Sequence, residues 1–298
     1  MHSSILVTGG TGQLASALAP YADVIRVGRP DFDFDHPDTI DTVLRVNRPA
    51  IVVNAAAWTA VDAAETNVDG AERANHTGPA RMAAVCRELG IPFIHISTDY
   101  VFSGDKGSPY VETDPVDPRS VYGRTKAEGE QAVLAAHPDS IILRTAWVYS
   151  PYNRNFVRTM VEAAARRPEL RVVGDQIGNP TSADALADVI MKIIARIRDT
   201  GWKADYAGIY HAAGEGQASW YELACAAIEM AARHGNPRPA IEAITTADWP
   251  TPAHRPHDAR LDCTRLKQVF GCAPGPWRPE VRRVVGELMA HRAPQPQS

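Results

Sequence analysis

Along the first half of the chain, short β-branched or apolar runs alternate with longer segments whose apolar residues recur at helical spacing. Five runs predict strands: Ile5 to Thr8, Val24 to Val27, Ile51 to Asn54, Phe93 to Ser97 and Ile141 to Thr145. Between them, segments near 13–19, 38–47, 79–89 and 121–136 predict helices. Such alternation implies α/β architecture, a Rossmann-like doubly wound parallel sheet covered on both faces. Two connections break the rhythm. Residues 55–76 and 99–120 are long and mostly irregular, and each follows the C-terminal end of a strand, where open α/β sheets bind ligands. Beyond about residue 148 the pattern loosens, with helices near 154–167, 183–198, 217–233 and 280–291 and short strands near 170–173 and 208–212, as in a smaller α+β cap. Ala293 to Ser298 reads as a frayed tail.

Composition narrows the function classes. The 298 residues, 45% hydrophobic and 22% charged, supply apolar material for one large domain or two modest ones. Lys plus Arg number 31 against 35 Asp plus Glu, a net charge of −4 with the signs mixed along the chain, so neither nucleic acid nor an anionic membrane is an expected partner. No run approaches the roughly 18 to 20 apolar residues of a membrane span, and a cytoplasmic location is expected. Cys86, Cys225, Cys263 and Cys272 share no CxxC spacing and read as reduced thiols. Proline is unevenly spread: ten of the 23 lie between Pro237 and Pro296, which predicts stiff loops in the last fifth.

The chemistry concentrates at strand ends. Thr8-Gly9-Gly10-Thr11-Gly12-Gln13-Leu14-Ala15 joins the first strand to the first helix, where a backbone free of side chains can approach a pyrophosphate. At the end of the second strand Arg29 stands where an NAD-preferring site would carry an acid, and it could meet a 2′-phosphate. Asp31, Asp33 and Asp35 alternate with Phe32 and Phe34; one aspartate on an adenine amino group suits this better than a metal site. Tyr122 and Lys126, four apart early in a helix, share a face. A phenol of pKa about 10 becomes a useful acid near neutrality when a cation stabilises its anion. Ser97-Thr98-Asp99 ends the fourth strand, so these features converge on one crevice. The predicted division is an NAD(P)-binding domain over 1–148 and a mainly substrate-binding domain over 149–298, with later segments free to rejoin the first. His95 and His211 read as core histidines, and Lys106 and Arg119 as solvated surface.

Together these features resemble the extended short-chain dehydrogenase/reductases. Longer strings resemble one family within them, the dTDP-4-dehydrorhamnose reductases: NAAAWTAVD (54–62), STDYVF (97–102), VYGRTK (121–126), RTAWVY (144–149) and PTPAHRP (250–256). The resemblance implies Tyr122 as proton donor, Lys126 as the lysine that binds the nicotinamide ribose and lowers the tyrosine pKa, and Thr98 as the hydroxyl that polarises the keto group. Gly9 belongs to the glycine loop read above as cofactor-binding; the resemblance places Gly12, Gln13 and Leu14 on the pyrophosphate loop, Asp33 and Phe34 at the adenine, and Ala57, Trp58 and Thr59 along the cofactor. Asp99 and Trp147 fall on sugar-binding positions, and Arg255 is the candidate for contacting the nucleotide diphosphate. The implied reaction is hydride transfer to C4 of a dTDP-linked 4-keto-6-deoxy sugar, with NADP(H) preferred and NAD(H) as the alternative.

Three departures qualify this. Trp58 stands where some members carry His or Tyr. Tyr100 follows Thr98-Asp99 where related 4,6-dehydratases place a glutamate, which disfavours dehydration. The glutamates that bridge magnesium in some dimeric members are absent from Ala15-Ser16-Ala17 and from 182–185, so no metal and a monomer or weak homodimer are expected. The alternatives are another nucleotide-sugar 4-ketoreductase, or a non-catalytic NADP-binding regulatory subunit like that of methionine adenosyltransferase.

Overall fold

The computed structural model describes residues 4–291; the predicted tail Ala293 to Ser298 lies outside the described residues. Its central element is a parallel sheet of six strands. Strands β1 (Ile5–Thr8), β2 (Val24–Val27), β3 (Ile51–Asn54), β4 (Phe93–Thr98) and β5 (Ser140–Thr145) lie in the order β5-β4-β3-β1-β2, and Gly208–His211 completes the sheet beside β5. β1, β3 and β5 are buried at every position, and their apolar, largely β-branched runs Ile5 to Val7, Ile51 to Val53 and Ile141 to Leu143 suit a sheet covered by helices on both faces. The chain runs outward from β1 to β2 and then returns to start β3 on the other side of β1, so the switch point lies between Thr8 and Asn54.

One face is covered by helices Gln13–Leu18 and Ala183–Thr200, with Thr264–Phe270 packed at one end. The other is covered by Pro37–Asn47, Gly78–Leu89 and the Val133 side of Val121–Ala136. A separate core joins helices Phe156–Ala164, Trp220–Ala232 and Trp277–Ala290. Beside it Glu169–Val173 pairs in parallel with Ala240–Ile244.

Several details differ from the sequence pattern. The strand near 208–212, grouped there with the cap, pairs with β5 from Gly208–Ile141 to His211–Arg144. The helix Ala183–Thr200 likewise packs on the sheet, so the chain crosses between the two cores more than once. Residues 55–76 are not mostly irregular: they hold Val61–Ala64, Val68–Glu72 and a π-turn, Arg73–Thr77, that runs into Gly78–Leu89. Elements of four or five residues are too short to show helical periodicity. Ala240–Ile244, exposed at three of its five positions, and Thr264–Phe270 were also not foreseen.

Candidate active site

A cavity of about 1170 Å³ opens at the C-terminal edge of the sheet, over the switch point. Its floor is backbone. Gly9 and Gly10 have φ of 101° and 54°, a conformation that glycine adopts without strain. A Cβ on Gly28 would sit 2.6 Å from the Gly10 Cα, and one on Gly9 3.1 Å from the Ala55 carbonyl, so the loops after β1, β2 and β3 meet with no room for side chains. Gln13 ties this floor to the opposite wall: its Nε2 donates to the Val148 carbonyl (3.3 Å) and its Oε1 accepts from Ser150 Oγ (2.8 Å). Leu14, Ala57, Trp58 and Thr59 also line the cavity, and Asn75 clamps the Trp58 backbone through both its N–H (2.9 Å) and its carbonyl (3.2 Å).

At the outer end, Arg29 pairs with Asp33 (3.0 Å) and Asp35 (2.9 Å), while Arg73 takes the other oxygen of Asp35 (2.7 Å). Burial opposes ionisation of Asp33, but the Asp35 N–H and the Arg29 guanidinium outweigh it and lower its pKa. Phe34 lines the cavity while packing on Gly78, where a Cβ would come within 2.1 Å of its ring.

The candidate reactive groups lie deeper. Ser120 caps helix Val121–Ala136 by accepting from the Gly123 N–H (3.1 Å), which sets Tyr122 in the first turn. Gly123 is required there because its Cβ would lie 2.2 Å from the Tyr100 carbonyl oxygen. Tyr122 meets Tyr100 edge to face at 5.5 Å. Burial pushes the Tyr122 phenol up to about 12, against a lowering hydrogen bond with Thr98 and with Asp99 adding to the rise. Thr98 Oγ1 donates to Asp99 Oδ1 (2.9 Å) and accepts from the Tyr100 N–H (3.2 Å). Asp99 is buried with Oδ2 unpartnered, and burial raises its pKa to about 7. The lysine departs from expectation. Lys126 Nζ donates to the Ile96 carbonyl (2.6 Å) and lies 3.3 Å from His95 Nε2, so its head turns into the sheet rather than toward the phenol. Below it Ser97 and Arg144 both bind the buried Glu130 carboxylate, Arg144 through two bonds of 2.8 and 2.6 Å.

The opposite wall is made of side chains. Trp147, at a left-handed φ of 47°, stacks on Trp220 with centroids 3.6 Å apart and rings within 6° of parallel. Gly178 makes room for that ring, since a Cβ there would lie 2.5 Å from it. Arg255 does not line the cavity. Its guanidinium grips Asp62 through two bonds of 3.1 and 2.8 Å and also contacts Thr251, which fastens the proline-rich loop to the segment after β3. A second cavity, of about 760 Å³, is lined by Arg154, Arg166, Arg167, Arg171, the carboxylates of Glu162 and Glu169 and the exposed Trp249, and Arg154 lines both. Among the described residues, one group has metal-ligand composition, Glu72, His76 and Glu128; Arg124 already sits between its two carboxylates at 2.8 and 3.0 Å.

The family described as RmlD substrate binding domain matches residues 2–290. A dTDP-4-dehydrorhamnose reductase of Sinorhizobium fredii is 42% identical over 96% of this chain and 97% of its own. The chain belongs to the dTDP-4-dehydrorhamnose reductase family. The crystal structure of a dTDP-4-dehydrorhamnose reductase from Bacillus anthracis in complex with NADP superposes with a TM-score of 0.88 at 30% identity, covering 96% of this chain and all of that one. A probable dTDP-4,6-dihydroxy-2-methyloxan-3-one 4-ketoreductase of Streptomyces antibioticus is 41% identical over 97% of each chain.

For this member of the family, one cavity brings together Gly9, Gly12, Gln13, Leu14, Arg29, Asp33, Phe34, Ala57, Trp58, Thr59, Thr98, Asp99, Tyr122, Lys126 and Trp147, which leaves Arg255 apart. Trp220, Arg73 and Arg154 were not singled out from sequence. Each comes from an element remote in the chain, and only Trp220, a large aromatic opening a capped helix, carried a local signal.

Proposed function

We propose that the chain reduces the C4 keto group of dTDP-4-dehydro-β-L-rhamnose to give dTDP-L-rhamnose, with Tyr122 as proton donor. The observation that carries this reading is the convergence of Thr98, Asp99, Tyr122, Lys126 and Trp147 on a cavity whose floor is bare glycine backbone. That floor fits the pyrophosphate of a nicotinamide dinucleotide, because Gly9, Gly10 and Gly12 line the cavity with bare backbone and put no side chain in the way of a close-lying phosphate. Bound there, NADPH or NADH supplies the hydride. Arg29 and Arg73, both at the outer end, favour NADPH by offering two guanidinium groups to a 2′-phosphate.

The residues of the chain do the rest. Thr98 polarises the keto oxygen once its hydroxyl turns from Asp99, and Tyr122 protonates the alkoxide that develops. Asp99 Oδ2, buried and unpartnered, accepts from a sugar hydroxyl. The Trp147–Trp220 pair gives the sugar ring an apolar platform. The arginines and Trp249 of the second cavity, joined to the first through Arg154, suit the nucleoside diphosphate, which makes them stronger candidates for that handle than Arg255.

The deciding experiment is turnover of dTDP-4-dehydrorhamnose with each cofactor, followed at the reduced nicotinamide band. Loss of absorbance that depends on the sugar nucleotide supports the reading; cofactor binding without turnover of any dTDP-4-keto sugar overturns it. The Streptomyces relative favours a second reading, a 4-ketoreductase acting on a different deoxysugar, and NMR of the product separates the two. A purely regulatory role would leave the assembled Thr98, Tyr122 and Lys126 without a task. No helix among the described residues is long and apolar enough to cross a membrane.

A further inference from the structure

A chain of polar side chains runs beneath the cavity floor. Thr8 Oγ1 donates to Asn54 Oδ1 (2.6 Å), Asn54 Nδ2 lies 3.0 Å from His95 Nδ1, and His95 Nε2 lies 3.3 Å from Lys126 Nζ. Thr8, Asn54 and His95 are fully buried and Lys126 is 2% exposed, so solvent does not compete for these bonds.

One donor of fixed identity gives the chain its direction. The Ala56 backbone N–H points at both Asn54 Oδ1 and Thr8 Oγ1, each 3.2 Å away. Turning the Asn54 amide over would set its NH₂ against that N–H. The amide NH₂ therefore donates to His95 Nδ1, and the imidazole, neutral with Nδ1 as acceptor, carries its proton on Nε2. That proton points at Lys126 Nζ. If the lysine is an ammonium, two donors face each other; if it is an amine, its lone pair accepts from His95 while it donates to the Ile96 carbonyl.

We propose that His95 is a positioning residue that holds Lys126 as the uncharged amine in the empty enzyme, and that Lys126 takes a proton from solvent when the cofactor draws its head away from His95. The inference rests on the nicotinamide-cofactor reading above. Other groups around the lysine act in known directions. Burial lowers the Lys126 pKa to about 8 and Glu130, on the same helix, opposes it, while Arg144 of β5 pairs with the Glu130 carboxylate. Burial lowers the His95 pKa well below its ordinary value and keeps the ring neutral. Tyr122 on the same helix and Asp99 after β4 complete the titratable surroundings. Above about pH 8 the lysine then supplies its positive charge to the site chiefly when the cofactor is present, and cofactor binding there is coupled to proton uptake.

Two measurements test this. In protein labelled with ¹⁵N-histidine, long-range ¹H–¹⁵N correlations should show His95 as the neutral Nε2–H tautomer between pH 6 and 9; the Nδ1–H tautomer would overturn the proposal whether or not any variant folds. In titration calorimetry near pH 8.5, in two buffers of different ionisation enthalpy, NADPH binding should take up on the order of half a proton. NADH should do the same, although it has no 2′-phosphate to titrate. Uptake should vanish in Lys126→Met, which separates the lysine from Asp99. It should fall severalfold in His95→Gln, whose carbonyl can turn to accept from an ammonium. No uptake in the wild type, or equal uptake in His95→Gln, sinks the idea. Failure of the wild type to bind either cofactor counts against the cofactor reading instead, and the tautomer measurement still decides the relay.

Discussion

The glycine floor and the tryptophan wall face each other across one cavity, yet the first is shaped by what its residues lack and the second by what they carry. Gly9, Gly10 and Gly28 bring three loops into backbone contact, and a single added methyl group has nowhere to go. Trp147 and Trp220 instead meet as stacked rings from separate parts of the chain, with Gly178 vacating space behind them. A floor of backbone packed this closely tolerates little change. A wall of side chains can be re-cut with the fold left intact.

This contrast can be broken or sharpened by experiment. The largest effect is expected where floor and wall meet: Tyr122→Phe should lower kcat by about 10² to 10⁴, the usual worth of a positioned general acid, with the NADPH dissociation constant nearly unchanged. Equal losses in both would show that Tyr122 belongs to the binding floor instead. Gly28→Ala should weaken NADPH binding about tenfold or more, since overpacking costs about 1–3 kcal/mol, and should lower the melting temperature; an unchanged dissociation constant would mean the floor can yield. Trp220→Ala should raise the KM for the sugar nucleotide by roughly threefold to tenfold, in line with about 0.5–1.5 kcal/mol for an aromatic pair, and leave the NADPH affinity alone.

The smallest effect concerns Asp99, whose folded pKa of about 7 lies above the ordinary carboxylate value. The folded state holds a proton that the unfolded chain releases, so this group contributes stability at pH 4 that is lost as pH rises through 7. Melting curves across that range should decline less in Asp99→Asn than in the wild type. Parallel curves would place the buried charge elsewhere.

The same contrast explains what could be read in advance. The glycine loop and the Tyr122–Lys126 pair pack their chemistry into local spacing, and the strands that present them are continuous apolar runs, so fold and floor were legible. The partners of those residues were not. That Lys126 turns to His95, that Trp147 finds Trp220, and that Arg154 bridges two cavities all depend on tertiary approach, which leaves no period in the chain. Arg255 teaches the same from the other side. Its string and the string containing Asp62 each stood out, but only the folded chain shows that one grips the other.

The position of β5, one strand in from the sheet edge, has a consequence for synthesis. β5 is buried along its whole length, and one of its edges is covered only by Gly208–His211. A nascent chain that has just released residue 148 therefore exposes the apolar run Ile141 to Leu143 with an open edge, a geometry prone to pairing with a neighbour. The covering strand follows roughly 60 residues later, a wait on the order of several seconds on the ribosome, so full-length chains should fold far more cleanly than fragments ending near residue 150.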